Sequence, residues 1–241
     1  MEIIITGGAS GLGEAITRKV ATDIADATIY ITYSKSEQNA LKLMDSYPNV
    51  RATKCDFANA GEVSDFTAKV KDINPDILIH NSYFGEFIKN HFHKIDAEDY
   101  LKSFEMNILP IIKISQQALL CFRKKKFGKI ISISTAALIN KPPIGASEYV
   151  ANKSYLEALS KSWATENAGF NITSNCISPS FMETAFTQNM DERVVEEIKN
   201  KHPLKKLLTP EEVAETVLFL ICAPQHINGI SLVMNAASDI R

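Results

Sequence analysis

Short runs of β-branched and aliphatic residues alternate with longer stretches in which apolar positions recur every three or four residues. The short runs are Glu2–Thr6, Ala27–Thr32, Val50–Lys54, Ile77–His80, Lys129–Ser134, Ile172–Ile177 and Ile230–Met234. Several are continuously apolar, the pattern of strands buried on both faces of a parallel sheet. Between them, Leu12, Ile16 and Val20 share one helical face, and further helices are expected over Ser36–Tyr47, Ala60–Ile73, Leu101–Phe122 and Ser147–Ala168. Thr209-Pro210-Glu211-Glu212 reads as a helix start. Threonine can cap, proline suits the first helical position, and Glu212 can close a capping box. The repeated β–α alternation predicts a doubly wound α/β fold, a parallel sheet of about seven strands with helices on both faces. No Gly/Ser/Pro-rich linker or internal repeat divides the chain, so residues 1–241 are expected to form one domain.

Composition changes this picture little. Hydrophobic residues make up 45% and charged residues 22% of 241 positions, and the net charge is -2. That balance gives no reason to expect nucleic acid or an anionic membrane as partner. The basic run Arg123–Lys126 reads as the last turn of a helix, where cations suit the dipole. Met1-Glu2 leads straight into Ile3-Ile4-Ile5, too short for a leader or a membrane span. Cys55, Cys121, Cys176 and Cys222 are scattered, as in a cytoplasmic protein with reduced thiols, and neither they nor His91 and His93 suggest a metal site.

Two features carry chemistry. Tyr149 and Lys153 stand four residues apart, which on a helix puts a phenol and an ammonium on one face. A phenol ordinarily titrates near pH ~10, and a neighbouring cation is expected to lower that value and make Tyr149 a useful general acid. At the N-terminus, Gly7, Gly11 and Gly13 lie in the turn Thr6-Gly7-Gly8-Ala9-Ser10-Gly11-Leu12-Gly13, between the first strand and the first helix. A dinucleotide pyrophosphate needs that arrangement: backbone N–H groups at a helix N-terminus with no Cβ atoms in the way.

The order Thr-Gly-x-x-x-Gly-x-Gly, followed by Tyr-x-x-x-Lys, resembles the short-chain dehydrogenase/reductase family, and the resemblance runs from Thr6-Gly7 to the region of Asn235. It implies hydride transfer between a nicotinamide and a carbonyl or secondary alcohol, with Tyr149 as general acid or base. It implies that Lys153 lowers the Tyr149 pKa and binds the nicotinamide ribose, and that Asn107 in Met106-Asn107-Ile108 completes a proton relay through water. The family's catalytic serine corresponds to Thr135, fourteen residues before Tyr149; Ser134, one residue earlier, would face the opposite side of the strand. The implied cofactor-binding set is Gly7, Ser10, Gly11, Leu12 and Gly13 in the glycine turn, Asp56 and Phe57 after the third strand, Asn81 after the fourth, Tyr149 and Lys153, and Pro179, Met182 and Thr184 after the sixth.

The chain departs from the family pattern at Tyr83 and Ser180, each where a glycine is common, and in having Thr135 for serine. Asn235-Ala236-Ala237 stands where Asn-Gly-Gly is common. These departures motivate an alternative reading, a catalytically weak dinucleotide-binding protein acting as a sensor or interaction partner. The second strand runs into Thr32-Tyr33-Ser34-Lys35-Ser36 with no carboxylate before Glu37. Ser34 and Lys35 suit a 2′-phosphate, so NADP(H) is favoured, with NAD(H) as the alternative. Within the family the resemblance is to 3-oxoacyl-carrier-protein reductases and general ketone reductases. It implies a small carbonyl or alcohol substrate, carried on an acyl carrier protein in one version, and a homotetramer or homodimer. The segment 181–208, containing Phe181, Met182, Phe186 and Met190, is the expected substrate lid.

Overall fold

The computed structural model describes residues 1–87, 89–139, 141–182 and 192–240. Seven parallel strands, β1 (Glu2–Ile5), β2 (Thr28–Tyr33), β3 (Val50–Lys54), β4 (Ile77–His80), β5 (Gly128–Ile133), β6 (Ile172–Pro179) and β7 (Ser231–Met234), form one sheet in the order β3-β2-β1-β4-β5-β6-β7. Strand β1 pairs with β2 on one side and with β4 on the other. The strand order therefore reverses beside β1, and in such a sheet the crevice at the carboxyl ends of those strands is where ligands bind.

Alternation along the strands sends side chains to two cores. Ile3, Ile5, Ile29, Ile31, Ile77 and Ile79 pack beneath α1 (Gly11–Asp23), α2 (Glu37–Ser46) and, further along the sheet, α8 (Pro210–Cys222). Ile4, Leu78, Ile130 and Ile172 pack on the other face against α3 (Ala60–Ile73), α5 (Leu109–Lys125) and α6 (Ser147–Asn167). The two cores account for the continuously apolar strands, since neither face meets water. The α8 start forms the expected capping box, Thr209 accepting from the Glu212 N–H and Glu212 from the Thr209 N–H.

One expected helix is two. The stretch Leu101–Phe122 divides into α4 (Ala97–Asn107) and α5 around Ile108, whose φ of -110° leaves the helical range. Pro110 lies in the first turn of α5, where its missing N–H costs nothing; in a continuous helix its ring would strike the carbonyl of Met106. The lid segment contains one further helix, α7 (Glu192–Lys201). The basic run closes α5: Arg123 stacks on Phe170 at 4.5 Å and donates to Asn167 Oδ1, while Lys125 pairs with Asp76 at 2.6 Å.

Two local features carry a cost in stability. Ala236 and Ala237 both have positive φ, 50° and 59°, in the turn after β7 where the family resemblance puts glycines. His80 ends β4 fully buried, its Nε2 bonded to Ser115 Oγ at 2.7 Å and its Nδ1 without a partner. Burial, and secondarily the charge of Lys153, pushes its pKa down to about 3.

Replacing both alanines by glycine is expected to raise stability by about 1 kcal/mol, since each left-handed alanine costs about 1–2 kcal/mol and glycine returns part of that as chain entropy. The urea midpoint measures it. For His80 the folded pKa lies below the unfolded value near ~6.5, so the unfolded chain takes up the proton first. Stability from this group is present above pH ~6.5 and falls toward pH 3, by at most about 1.4 kcal/mol per pH unit. His80→Asn is expected to flatten the acid limb of a urea-midpoint profile; an unchanged profile contradicts this account.

Candidate active site

The glycine turn is built by close packing. Gly7 and Gly11 adopt φ of +64° and +52°, a region that glycine enters without strain. A Cβ on Gly13 would stand 2.0 Å from the Gly7 carbonyl oxygen, so α1 can approach the end of β1 only with glycine there. Thr17 Oγ1 holds the turn from inside, donating to the carbonyls of Gly8 and Gly13 at 2.8 Å each. Asn81 ties the ends of β1 and β4 together. Its N–H donates to Thr6 Oγ1 at 3.0 Å and its side-chain amide to the carbonyls of Thr6 and Gly7 at 3.2 Å. Asn81 thus supports the turn from behind.

A cleft of about 990 Å³ runs from this turn across the carboxyl ends of the strands. Gly7, Ser10, Gly11, Leu12 and Gly13 line it, as do Ser34, Lys35, Asp56, Phe57, Asn81, Thr135, Tyr149, Lys153, Pro179 and Met182. The positions expected from sequence therefore converge on one space, with two exceptions. Thr184 lies outside the described residues, as do Phe186 and Met190. Asn107 is buried behind the cleft, and its side chain clamps the loop after β4. Its Oδ1 accepts from the Phe84 N–H at 2.7 Å, and its Nδ2 donates to the carbonyls of Phe84 and Ser103. With the amide so engaged, the side chain serves to hold the loop.

The residues of the cleft fit a dinucleotide. The open N-terminus of α1 faces it, the Ser10 side chain makes no cap bond there, and space is clear around Gly11 where a Cβ would be. The hydroxyl of Ser180, at the cleft wall, is buried without a partner. Asp56 shapes the β3 end, its Oδ1 accepting from the Ala58 N–H at 3.0 Å.

At the inner end, Tyr149 and Lys153 share the buried face of α6. The Tyr149 phenol has the Thr135 hydroxyl as a polar neighbour in the cleft, and that hydroxyl accepts from the Ala137 N–H at 3.2 Å. Ser134 points away and donates to Glu157 Oε1 at 2.8 Å. The alternation of an extended strand thus brings Thr135, and not Ser134, to the phenol.

The ionisation of the pair corrects the expectation from sequence. Burial pushes the Tyr149 phenol up to about 12, with the Thr135 hydrogen bond acting against that rise. Burial also brings Lys153 down to about 8. The Lys153 ammonium donates to the Ile133 carbonyl at 2.7 Å and stands 5.8 Å from the Tyr149 ring centroid. Desolvation disfavours both charged forms and outweighs their mutual effect.

Tyr83 occupies the expected glycine position with its ring in the site. It meets Tyr149 edge-on at 5.0 Å and lies 5.1 Å from Lys153 Nζ. Its hydroxyl accepts from Asn152 Nδ2 at 3.4 Å, and the same amide donates to Ser103 Oγ at 2.8 Å, the residue that Asn107 also contacts. Phe87 packs on Tyr149 in the same T-shaped fashion at 5.0 Å. Sequence reasoning marked Tyr83 as a departure but missed Phe87, Ser103, Asn152 and Glu157. Of these, only Glu157 left a trace, an i,i+4 continuation of the Tyr149–Lys153 stripe.

Comparisons with known proteins agree with this geometry. Residues 7–236 match the family model described as enoyl-(acyl carrier protein) reductase. The 3-oxoacyl-[acyl-carrier-protein] reductase FabG of Rickettsia prowazekii is 30% identical over 96% of this chain and 94% of its own length. Its namesake from Thermotoga maritima is 28% identical over 90% and 88%. A solved structure described as a short chain dehydrogenase/reductase family protein superposes with a TM-score of 0.84 at 25% identity, covering 98% of this chain and 96% of that one. With the glycine turn, the Tyr149–Lys153 pair and the strand order all in one cleft, the chain belongs to the short-chain dehydrogenase/reductase family of nicotinamide-dependent oxidoreductases.

Proposed function

We propose that this chain reduces a carbonyl with NADPH as the hydride source, and that Tyr149 donates the proton. The observation that carries the reading is the convergence of the Thr135 hydroxyl, the Tyr149 phenol and Lys153 at the inner end of the cleft. Two O–H groups meeting at one point suit an oxygen on which negative charge develops. That geometry favours a carbonyl over a carbon–carbon double bond as the reacting group. The bound nicotinamide supplies the hydride. Gly7, Ser10, Gly11, Leu12 and Gly13 would hold its pyrophosphate, Ser34 and Lys35 a 2′-phosphate, and Asp56 and Phe57 the adenine. Asn81, Pro179, Met182 and Thr184 would border the nicotinamide, and Lys153 would bind its ribose. Asn107 acts as a positioning residue through the Phe84 loop.

The raised pKa of Tyr149 leaves the phenol protonated at neutral pH, the form that a proton donor needs. For the substrate we infer a 3-oxoacyl thioester or related ketone, the class named for the FabG relatives. Specific docking of a carrier protein draws no support from Arg123–Lys126, because Arg123 and Lys125 are engaged within the chain. The exposed Leu101, Leu120 and Tyr155, on α4, α5 and α6, favour self-association through that face.

The test is NADPH oxidation with a panel of 3-oxoacyl thioesters and ketones. Tyr149→Phe is expected to lower kcat by about 10²–10⁴-fold and leave the NADPH Kd nearly unchanged. Thr135→Ser is expected to stay near wild type, and Thr135→Val to lose about 10²-fold or more. Tight NADPH binding with no turnover across the panel would instead favour the sensor reading.

For cofactor choice, NADPH is expected to bind more tightly than NADH, and Lys35→Ala to narrow the difference by about tenfold or more, the worth of a charge-assisted hydrogen bond. Titration by cofactor fluorescence measures both. Tighter NADH binding by the wild type would reverse the NADP assignment.

A further inference from the structure

We propose that Glu157 is a positioning residue, a buried carboxylate that determines which of two adjacent hydroxyls at the end of β5 faces Tyr149. The proposal rests on the reading of Tyr149 and Thr135 given above. Ser134 and Thr135 both carry hydroxyls, and nothing in their chemistry alone decides between them. Glu157 lies one helical turn beyond Lys153 and two beyond Tyr149, only 8% exposed. Its Oε1 accepts from Ser134 Oγ at 2.8 Å, Ser178 Oγ at 3.0 Å and Ser231 Oγ at 3.1 Å. Ser178 and Ser231 also lie 2.7 Å apart, so one of their two protons is shared between the neighbouring hydroxyl and the carboxylate.

The three serines come from three neighbouring strand ends. Ser134 directly follows β5, Ser178 lies in β6 and Ser231 in β7. One carboxylate oxygen therefore ties together the ends that carry Thr135 and Pro179 into the cleft. The ammonium of Lys153 does not take this carboxylate; it donates to the Ile133 carbonyl. Glu157 is thus left to the hydroxyls, and Lys153 remains in the cleft. With the Ser134 hydroxyl engaged by Glu157, extended geometry presents the next residue to the other side, where Thr135 lines the cleft with Tyr149. Without the carboxylate, Ser134 would hold a buried hydroxyl with no acceptor, and the β5 end would shift to find one. A displacement of about 1 Å at a reacting group is enough to cost about 10²-fold in rate.

The experiment compares Glu157→Ala, Glu157→Gln and Ser134→Ala with the wild type, using NADPH and a 3-oxoacyl thioester. Glu157→Ala is expected to lower kcat by about 10²-fold while the NADPH Kd stays within about twofold. Glu157→Gln, whose amide oxygen still accepts hydroxyl hydrogen bonds, is expected to recover most of that loss. Ser134→Ala is expected to lower kcat in the same direction. A crystal structure of Glu157→Ala is expected to have the Thr135 hydroxyl out of hydrogen-bonding reach of Tyr149. Equal loss in the Gln and Ala variants, or unchanged kcat in a folded Glu157→Ala protein, overturns the proposal. If Glu157→Ala does not fold, full activity of Ser134→Ala overturns it. If the wild type itself reduces no carbonyl, the functional reading fails separately. The direction of the Thr135 hydroxyl in crystal structures of Ser134→Ala and Glu157→Gln then decides this one: turned toward Tyr149 only in the Gln variant it supports the proposal, and any other result overturns it.

Discussion

The site depends on one constraint: the inner stripe of α6 is polar and dry. Tyr149, Asn152, Lys153, Glu157, Ser160 and Asn167 all face inward and are buried. A buried polar group without a partner loses the hydrogen bonds it had with water, at about 1–3 kcal/mol each and more for charges. Each member of the stripe must therefore find a fixed partner, and the partners are largely strand ends and the adjoining loops. Lys153 takes the Ile133 carbonyl, Glu157 the serines of three strands and Asn152 the Ser103 and Tyr83 hydroxyls, while Tyr149 has the Thr135 hydroxyl as a neighbour in the cleft. Satisfying the helix arranges the active site.

The same dryness sets the ionisation of the pair. A cation beside a phenol in water would favour the phenolate, but burial disfavours charge on both groups, raising Tyr149 and lowering Lys153. Tyr149 is consequently a proton store at neutral pH. Its usefulness as an acid comes from where its O–H is held, beside a second O–H, more than from an easily lost proton.

Much of this was legible in the sequence where the signal was local. Short apolar and β-branched runs marked all seven strands to within two residues at either end. The glycine spacing marked the turn because backbone packing at Gly13 excludes any side chain. The family resemblance picked Thr135, and strand parity set Ser134 on the opposite face. What sequence did not reveal depended on contacts made at a distance. Pro110 splits a periodic stretch that reads as one helix. Glu157 looks like any solvated helix carboxylate until three strands converge on it. Arg123 and Lys125 look like a free basic run, yet their partners lie about fifty residues away in sequence. The Tyr149 pKa went the wrong way because spacing records the neighbour and not the loss of water.

The departures from the family pattern belong to this same arrangement. Tyr83 reads as an obstruction when compared with glycine, but its hydroxyl accepts from Asn152 and its ring covers the Tyr149–Lys153 pair. By covering the pair, Tyr83 and Phe87 add to the desolvation that raises the phenol. A drier site also strengthens any hydrogen bond to an oxygen that becomes negative during reaction. The substitution that looks least compatible with catalysis thus acts on the proton donor in a definite sense. It makes the phenolate harder to form and keeps the O–H intact at neutral pH.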